Sequence, residues 1–118
     1  MAKSYADDRG TIEDILALDE PLNGVVTQIF TKAGAVRGNH VHHQTTQWVY
    51  VVSGTLIAAS PTGKTRLVSG SLFEEPAGIP HAWIALVDTT VLVFTLGPRS
   101  GEDYESDTER LPEGERLL

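Results

Sequence analysis

Short apolar segments separated by turn residues constrain the fold of this chain more than any other feature. Eight segments of four to eight residues have the β-branched and aromatic content of strands, and Gly, Pro or Asp interrupts the chain between most of them. No segment predicts a helix of three turns, and Thr11 to Leu18 fits either one short helical turn or an edge strand. The pattern therefore predicts an all-β protein closed into a sandwich or barrel. The predicted strands are Val25 to Thr31, Val36 to His43, Gln47 to Val52, Thr55 to Ala59, Thr65 to Val68, Ser71 to Glu74, His81 to Val87 and Val91 to Leu96.

The length fits a single domain. The chain has 118 residues, 41% of them hydrophobic, which is enough to bury one core. We expect one domain over 1–118, with a core at about 22–97 and an acidic polar tail at 98–118. Between Glu102 and Glu115 the tail carries seven acidic residues and one basic residue. We expect this tail to be irregular and either packed over the barrel or partly mobile.

The charge and the apolar pattern exclude several classes of partner. The formal net charge of −7 opposes binding to nucleic acid and to anionic membrane surfaces. No apolar run approaches the roughly 20 residues of a membrane helix. The segment Met1 to Asp8 lacks the apolar core of a signal peptide. These features predict a soluble, cytoplasmic protein, and they do not identify its partner.

The histidines form a candidate metal site. The chain has no cysteine, so a metal must be held by His, Gln, Asp or Glu. Side chains alternate along a strand, so His40 and His42 face the same way, and His81 approaches from a later strand. Gln47 is the candidate fourth ligand, and His43 is expected to point outward. Imidazole suits zinc, iron, nickel, manganese or copper, and the sequence does not choose among these divalent transition metals.

Other residues near these histidines are candidates for a substrate pocket. If Arg37 points inward, it can bind a carboxylate or phosphate, and it is also a candidate catalytic residue together with His42. Trp83 follows His81 by two residues and so shares its face on a regular strand. Phe30 and Phe94 complete the predicted apolar wall. Trp48 and Tyr50 face away from Gln47 and are predicted to form a sheet or dimer contact.

Two motifs that contain these residues resemble the signature motifs of the cupin superfamily. The resemblance spans Arg37 to Ala85 and implies a single-domain, cupin-type jelly-roll β-barrel. It also implies an ion held by the three histidines and Gln47. The matching positions are Gly38, His40, His42, Gln47 and Gly54 in the first motif, and Gly70, Pro76, Gly78 and His81 in the second.

The chain departs from the superfamily pattern at two positions. Gln47 stands where the family has an acidic ligand, and Ala85 stands where the second motif has an asparagine. The glutamine carbonyl can bind a metal, but a neutral amide cannot act as a general base. A mechanism that needs a carboxylate at this position is therefore in doubt.

A narrower likeness connects the chain with cupins that act on sugar nucleotides. Asp8 to Ile12, Arg37 to His42 and Asp103 to Asp107 are similar to segments of deoxy-sugar 3,4-ketoisomerases and of epimerase-type proteins of polysaccharide synthesis. In the ketoisomerases the His-x-His pair is implicated in proton transfer, and the second, metal-type motif is absent. This chain has that motif, so the two resemblances point in different directions.

The resemblance implies three candidate functions. The first is a small metal-dependent enzyme, of isomerase or epimerase type, that acts on an oxygen-rich molecule such as a carbohydrate or sugar nucleotide. The second is a metal-dependent dioxygenase, and the third is a non-catalytic small-molecule-binding cupin. A homodimer is also expected, from the resemblance and from the need to cover edge strands.

Overall fold

The computed structural model describes residues 4–19, 23–96 and 107–118, and these form two antiparallel β-sheets. Within these ranges, no helix is long and apolar enough to cross a membrane. The strands are β1 Ser4–Asp7, β2 Gly10–Leu18, β3 Gly24–Thr31, β4 Val36–His42, β5 Thr46–Ser53, β6 Thr55–Ser60, β7 Gly63–Val68, β8 Leu72–Glu75, β9 His81–Ala85, β10 Thr89–Leu96 and β11 Thr108–Arg110, followed by a 3₁₀ turn at Glu113–Glu115.

The two sheets face each other across a single core, which confirms the predicted jelly-roll barrel. The larger sheet has the order β1-β2-β3-β10-β5-β8, and the smaller has the order β11-β4-β9-β6-β7. The first motif places its histidines on β4 of the smaller sheet and its glutamine on β5 of the larger one. The segment predicted as a helical turn or edge strand is β2, which pairs with β1 and β3.

Alternation along β5 shows which face of the larger sheet points inward. Val49 and Val51 are fully buried, whereas Tyr50 and Val52 are 38% and 45% exposed. The buried pair packs into a core cluster that also contains Leu56 and Trp83. The faces that the sequence predicted for this strand are therefore confirmed, with Gln47 on the inner side.

A β-bulge in β4 sets the direction of the first histidine motif. Gly38 pairs with Ala82, and His40 pairs with His81, so Asn39 is an extra residue on β4. Gly38 and Asn39 both have positive φ, 94° and 58°, which glycine and asparagine tolerate best. A bulge shifts the alternation by one residue. Arg37 and His40, three positions apart, can therefore face the same side of the strand.

The end of the chain is tied to this bulge, and part of the predicted tail is ordered as a strand. In β11, Thr108 and Arg110 pair with His42 and His40. The side chain of the bulge residue Asn39 accepts hydrogen bonds from the backbone N–H groups of Leu117 and Leu118, at 2.8 and 3.2 Å. The expectation of an irregular tail is therefore wrong for this part, because β11 completes the edge of the smaller sheet. Most of Asp103 to Asp107, which carried the narrower resemblance, lies outside the described residues.

We predict that Gly38→Ala destabilises the protein more than Gly34→Ala does. Both glycines have positive φ, so strain of about 1–3 kcal/mol applies to both. A Cβ at position 38 would lie 2.9 Å from the Ala82 Cα and from the His81 carbonyl oxygen, whereas position 34 has no atom within 4 Å. Urea denaturation measures the free energy of unfolding of both variants. The extra loss in Gly38→Ala over Gly34→Ala reports the close approach of β4 to β9. Equal losses for the two variants would contradict this account of the bulge.

Candidate metal centre

Three histidine side chains from two strands meet inside the barrel. His40 and His42 come from β4 and His81 from β9, and one ligand atom from each lies within 4.8 Å of the other two. The Nε2 atoms of His40 and His81 are 3.0 Å apart. The ring centroids are separated by 4.5 to 5.3 Å. The fold therefore brings together the three imidazoles that the sequence predicted as ligands.

This geometry fits a transition-metal ion. Imidazole nitrogens bind such ions at about 2.1 Å, so two nitrogens at right angles around one ion lie about 3.0 Å apart. The observed separation of Nε2 in His40 and His81 matches that value. Their rings meet edge to face, at 90°. The donor set of three imidazoles is typical of zinc, iron, copper, nickel or manganese sites and does not select one of them.

Burial keeps the cluster in the neutral form that a metal requires. Burial, together with smaller contributions from His81, His42 and Arg110, lowers the pKa of His40 to about 3. Burial and His42 lower the pKa of His81 to about 4, against an opposing contribution from the Ile79 backbone. Burial also lowers the pKa of His42. Near pH 7 the three rings therefore present lone pairs rather than positive charges.

A residue that the sequence did not single out holds the ring of His42. Nδ1 of His42 lies 3.0 Å from the hydroxyl oxygen of Thr108, in the strand that pairs with β4. A ring held through Nδ1 presents Nε2 to a metal. Asp107, the preceding residue, accepts hydrogen bonds from the Gln44 N–H and the Thr45 hydroxyl. The C-terminal segment therefore braces the loop between β4 and β5 as well as the histidine.

Gln47 borders the same space but is anchored to another strand. Its Nε2 donates a hydrogen bond of 3.0 Å to the hydroxyl of Thr95, its register partner on β10. The side chain lines the cavity beside His40 and His81. Its role as a metal ligand stays a prediction.

The structure adds a carboxyl group that sequence reasoning missed. Glu75 is 6% exposed, and its Oε1 lies 3.6 Å from Nε2 of His81. Burial raises the pKa of Glu75 to about 8, so near pH 7 the contact joins a largely neutral acid to a neutral imidazole rather than two charges. Glu74 and Glu75 precede Pro76 of the second motif, but the sequence does not show which of them faces inward. In β8 the inward position is that of Glu75, directly opposite Gln47.

The central cavity is a space of about 220 Å³ that is bounded in part by His40, His81, Gln47 and Glu75. Arg9, Arg37 and Arg110 all line it. Arg37 is 6% exposed and donates from Nε to the Thr31 hydroxyl at 2.7 Å and from Nη2 to the Phe30 carbonyl at 3.1 Å. Burial lowers the pKa of Arg37, and Arg9 acts in the same direction. The sequence left the direction of Arg37 open, and the bulge at Gly38 and Asn39 turns it towards this cavity.

The predicted aromatic wall is only partly present. Trp83 is 4% exposed and lines the central cavity. Phe94 is 39% exposed and alternates on β10 with inward-facing Val93, so its side chain lies on the outer face. Phe30 alternates in the same way with Ile29 on β3 and also lies outside the lining. The placement of Phe30 and Phe94 in the pocket is corrected, because the sequence pattern does not show which phase of each strand faces inward.

Two further side chains lie away from the metal centre. His43 is half exposed, and its Nε2 lies 3.0 Å from Oε1 of Glu109. Trp48 pairs with Phe94 and Glu74 on the outer face of the larger sheet. Both positions agree with the directions that strand alternation predicts.

We predict that the metal-free protein loses stability as the pH falls from 6.5 towards 4, partly through His40. Its pKa is lower in the folded than in the unfolded chain, so its contribution is full above pH 6.5 and is lost as pH falls through the folded value of about 3. Each pKa unit corresponds to about 1.4 kcal/mol. Urea denaturation at several pH values measures the slope, which His40→Gln should flatten and His43→Gln should not. An identical slope in wild type and His40→Gln would contradict the neutral buried cluster.

The family model for the cupin domain matches residues 28–97, which is more than half of the chain. The matched region includes both motifs and all three clustered histidines. A search of curated proteins finds no sequence that matches.

Solved structures share the fold. CapF, the capsular polysaccharide assembling protein of Staphylococcus aureus, superposes with a TM-score of 0.78 at 21% identity, over 94% of this chain and 32% of its own. Oxalate decarboxylase from Bacillus subtilis superposes with a TM-score of 0.73 at 21% identity, over 93% of this chain and 30% of its own. KdgF from Halomonas sp. superposes with a TM-score of 0.61 at 26% identity, over 75% of this chain and 82% of its own. The chain thus spans about a third of the first two proteins. With the family model and the two-sheet barrel in agreement, this protein belongs to the cupin family.

Proposed function

We propose that this protein is a metal-dependent enzyme that acts on an anionic, oxygen-rich small molecule, with isomerisation or epimerisation of a carbohydrate or sugar nucleotide as the reaction class. The observation that carries the proposal is the central cavity, which is lined by three arginines and by His40 and His81 of the three-histidine cluster. Metal ligands and anion-binding groups in one small cavity favour a substrate that offers both a chelating oxygen and a negative charge.

The arginines are the main support for an anionic substrate. The whole chain carries a net charge of −7, yet three cationic side chains converge on this cavity. Asp7 pairs with Arg9, at 2.6 Å from Nη2. In the described part of the chain, no carboxylate forms an ion pair with Arg37, which is buried beside the cavity. The charge of Asp7, which is already paired with Arg9, favours the charged form of Arg37 only from beyond ion-pair distance. A carboxylate or phosphate of the substrate is therefore the natural direct partner of this buried guanidinium.

The protein residues would divide the work between holding the ion and orienting the substrate. His40, His42 and His81 would hold the ion, and Thr108 would keep His42 in the required orientation. When bound, such an ion supplies a Lewis acid that polarises a substrate carbonyl and stabilises an enolate. Arg37 would fix the anionic group, and Trp83 would exclude water from one side of the cavity.

The structural neighbours support this class of substrate without deciding it. One is named for capsular polysaccharide assembly, and another is a decarboxylase of oxalate. Both act as longer proteins than this chain, so their activities enter here only as part of the proposal. Oxygen uptake by the iron- or copper-loaded protein would instead favour a dioxygenase, and tight ligand retention without product would favour a non-catalytic binder.

We also propose a homodimer that uses the outer face of the larger sheet. Phe94, Tyr50 and Leu72 are 39%, 38% and 61% exposed there, on three neighbouring strands. An apolar sheet face of this kind is commonly covered in an oligomer. Sedimentation of the wild type and of Tyr50→Lys tests this arrangement.

We predict that His42→Ala removes most of the bound metal and lowers the melting temperature. The change deletes one of three imidazoles that converge on one point. His43→Ala, which alters the next residue but lies outside the cluster, is the matched control. Gln47→Ala should weaken metal retention less than any of the three histidine changes. Elemental analysis of the purified variants measures the metal content, and wild-type content in His42→Ala would count against the site.

We predict that Arg37→Met weakens binding of an anionic sugar by about 10- to 100-fold, since a hydrogen bond to a charged group contributes about 1.5–3 kcal/mol. Calorimetry of the metal-loaded protein with galacturonate and with galactose separates the charge from the sugar ring. Arg66→Met, on exposed β7, makes the same change in net charge away from the cavity. Equal affinity of wild type for the two sugars, or equal effects of the two variants, would contradict an anion site at Arg37.

A further inference from the structure

We propose that Glu75 supplies, from the neighbouring strand, the carboxylate metal ligand that the first motif lacks. This inference rests on the metal site of the proposed function and assigns it a further ligand. At the expected acidic position the chain has Gln47, and the residue directly opposite Gln47 in the β5–β8 ladder is Glu75. Directly opposed residues share a face and have Cβ atoms about 5 Å apart. A carboxylate at either position therefore points into the same region of the barrel.

The side chains of Gln47 and Glu75 make contacts in different directions. Thr95, Gln47 and Glu75 are register partners on three adjacent strands. The amide of Gln47 is turned towards Thr95, to which its Nε2 donates at 3.0 Å. Glu75 instead lies on the other side, with Oε1 at 3.6 Å from Nε2 of His81. Glu75 therefore contacts the histidine cluster through His81, whereas the Nε2 group of Gln47 is bound to Thr95.

The distance to His81 is compatible with a shared ion. Oxygen and nitrogen ligands at about 2.0–2.2 Å from one ion lie about 3.0–3.5 Å apart at octahedral or tetrahedral angles, and the observed 3.6 Å lies just beyond this range. The carboxylate contacts His81 but lies outside the group of three mutually close imidazoles. A glutamate side chain has several rotatable bonds, so a rotamer adjustment can move the carboxylate towards the ion without moving β8.

Burial also argues for a specific role of this residue. Glu75 is 6% exposed, and it lines both the central cavity and a second cavity of about 300 Å³ beside the β6–β7 hairpin. Carboxyl groups are rarely buried unless they are paired or coordinate a metal. Within the described residues, the only cationic or potentially cationic group in ion-pair reach of Glu75 is His81. A divalent ion at the histidine cluster would provide the charge that this carboxylate lacks.

The test compares four proteins by equilibrium titration with Co²⁺ and by the visible absorption of the bound ion. They are wild type, Glu75→Gln, the control Glu74→Gln on the outer face of the same strand, and the double variant Gln47→Glu/Glu75→Gln. We expect Glu75→Gln to weaken Co²⁺ binding by about 100-fold or more and to change the spectrum, because a ligand is lost; an outer-shell partner costs about 10- to 100-fold. Glu74→Gln should match wild type.

The double variant returns a carboxylate to the family position and should recover affinity and a spectrum close to wild type. It also carries the test if Glu75→Gln alone does not fold. Wild-type affinity in Glu75→Gln, or a loss of affinity with an unchanged spectrum, would overturn the assignment of Glu75 as a ligand. Failure of a folded double variant to recover would contradict the equivalence of the two positions. His42→Ala separates the metal site from the role of Glu75. If His42→Ala abolishes Co²⁺ binding and Glu75→Gln does not alter it, the metal site stands and the assignment of Glu75 as a ligand fails.

Discussion

The bulge at Gly38 and Asn39 is the constraint on which the site depends. A regular strand would place Arg37 and His40 on opposite faces, because their positions differ by an odd number. The extra residue on β4 reverses this alternation, so Arg37 and His40 both border the central cavity. Only a residue without a Cβ fits at position 38, against the backbone of β9. Asn39 then uses its side chain to hold the chain end, which brings β11 and Thr108 next to the histidines.

The fold was largely predictable from the sequence, because short strands and turn residues carry most of that information. The turns at Gly54 and near Pro61 mark their strand ends correctly, and the inner face of β5 follows from simple alternation. The N-terminal strand β1 and the C-terminal strand β11 were not predicted. Both are short and polar, and they form by pairing, β1 with the adjacent β2 and β11 with the distant β4, rather than through their own composition.

Prediction of the site was uneven for a related reason. The clustering of the histidines follows from motif spacing, since alternation brings His40 and His42 to one face and the second motif delivers His81. Glu75 and Arg110 could not be assigned to the cavity, because each lies on a strand that pairs with one remote in sequence. Arg9 lies in the turn between β1 and β2, and the sequence did not predict β1. Phe30 and Phe94 were misplaced because an aromatic residue on a strand has no local signal for which face is inner.

The electrostatics of the barrel follow from this geometry and combine neutral and charged groups around one cavity. Burial holds His40 and His81 neutral, with a carboxyl group beside His81. Buried Arg37 and the Arg9–Asp7 pair supply the charged groups. X-ray absorption of the Co²⁺-loaded protein is the direct test of whether the histidines of β4 and β9 together bind one transition-metal ion. We expect one ion per chain, with imidazole nitrogens at about 2.1 Å from the ion. An ion surrounded only by water and carboxylate oxygens, or no stoichiometric binding, would contradict it.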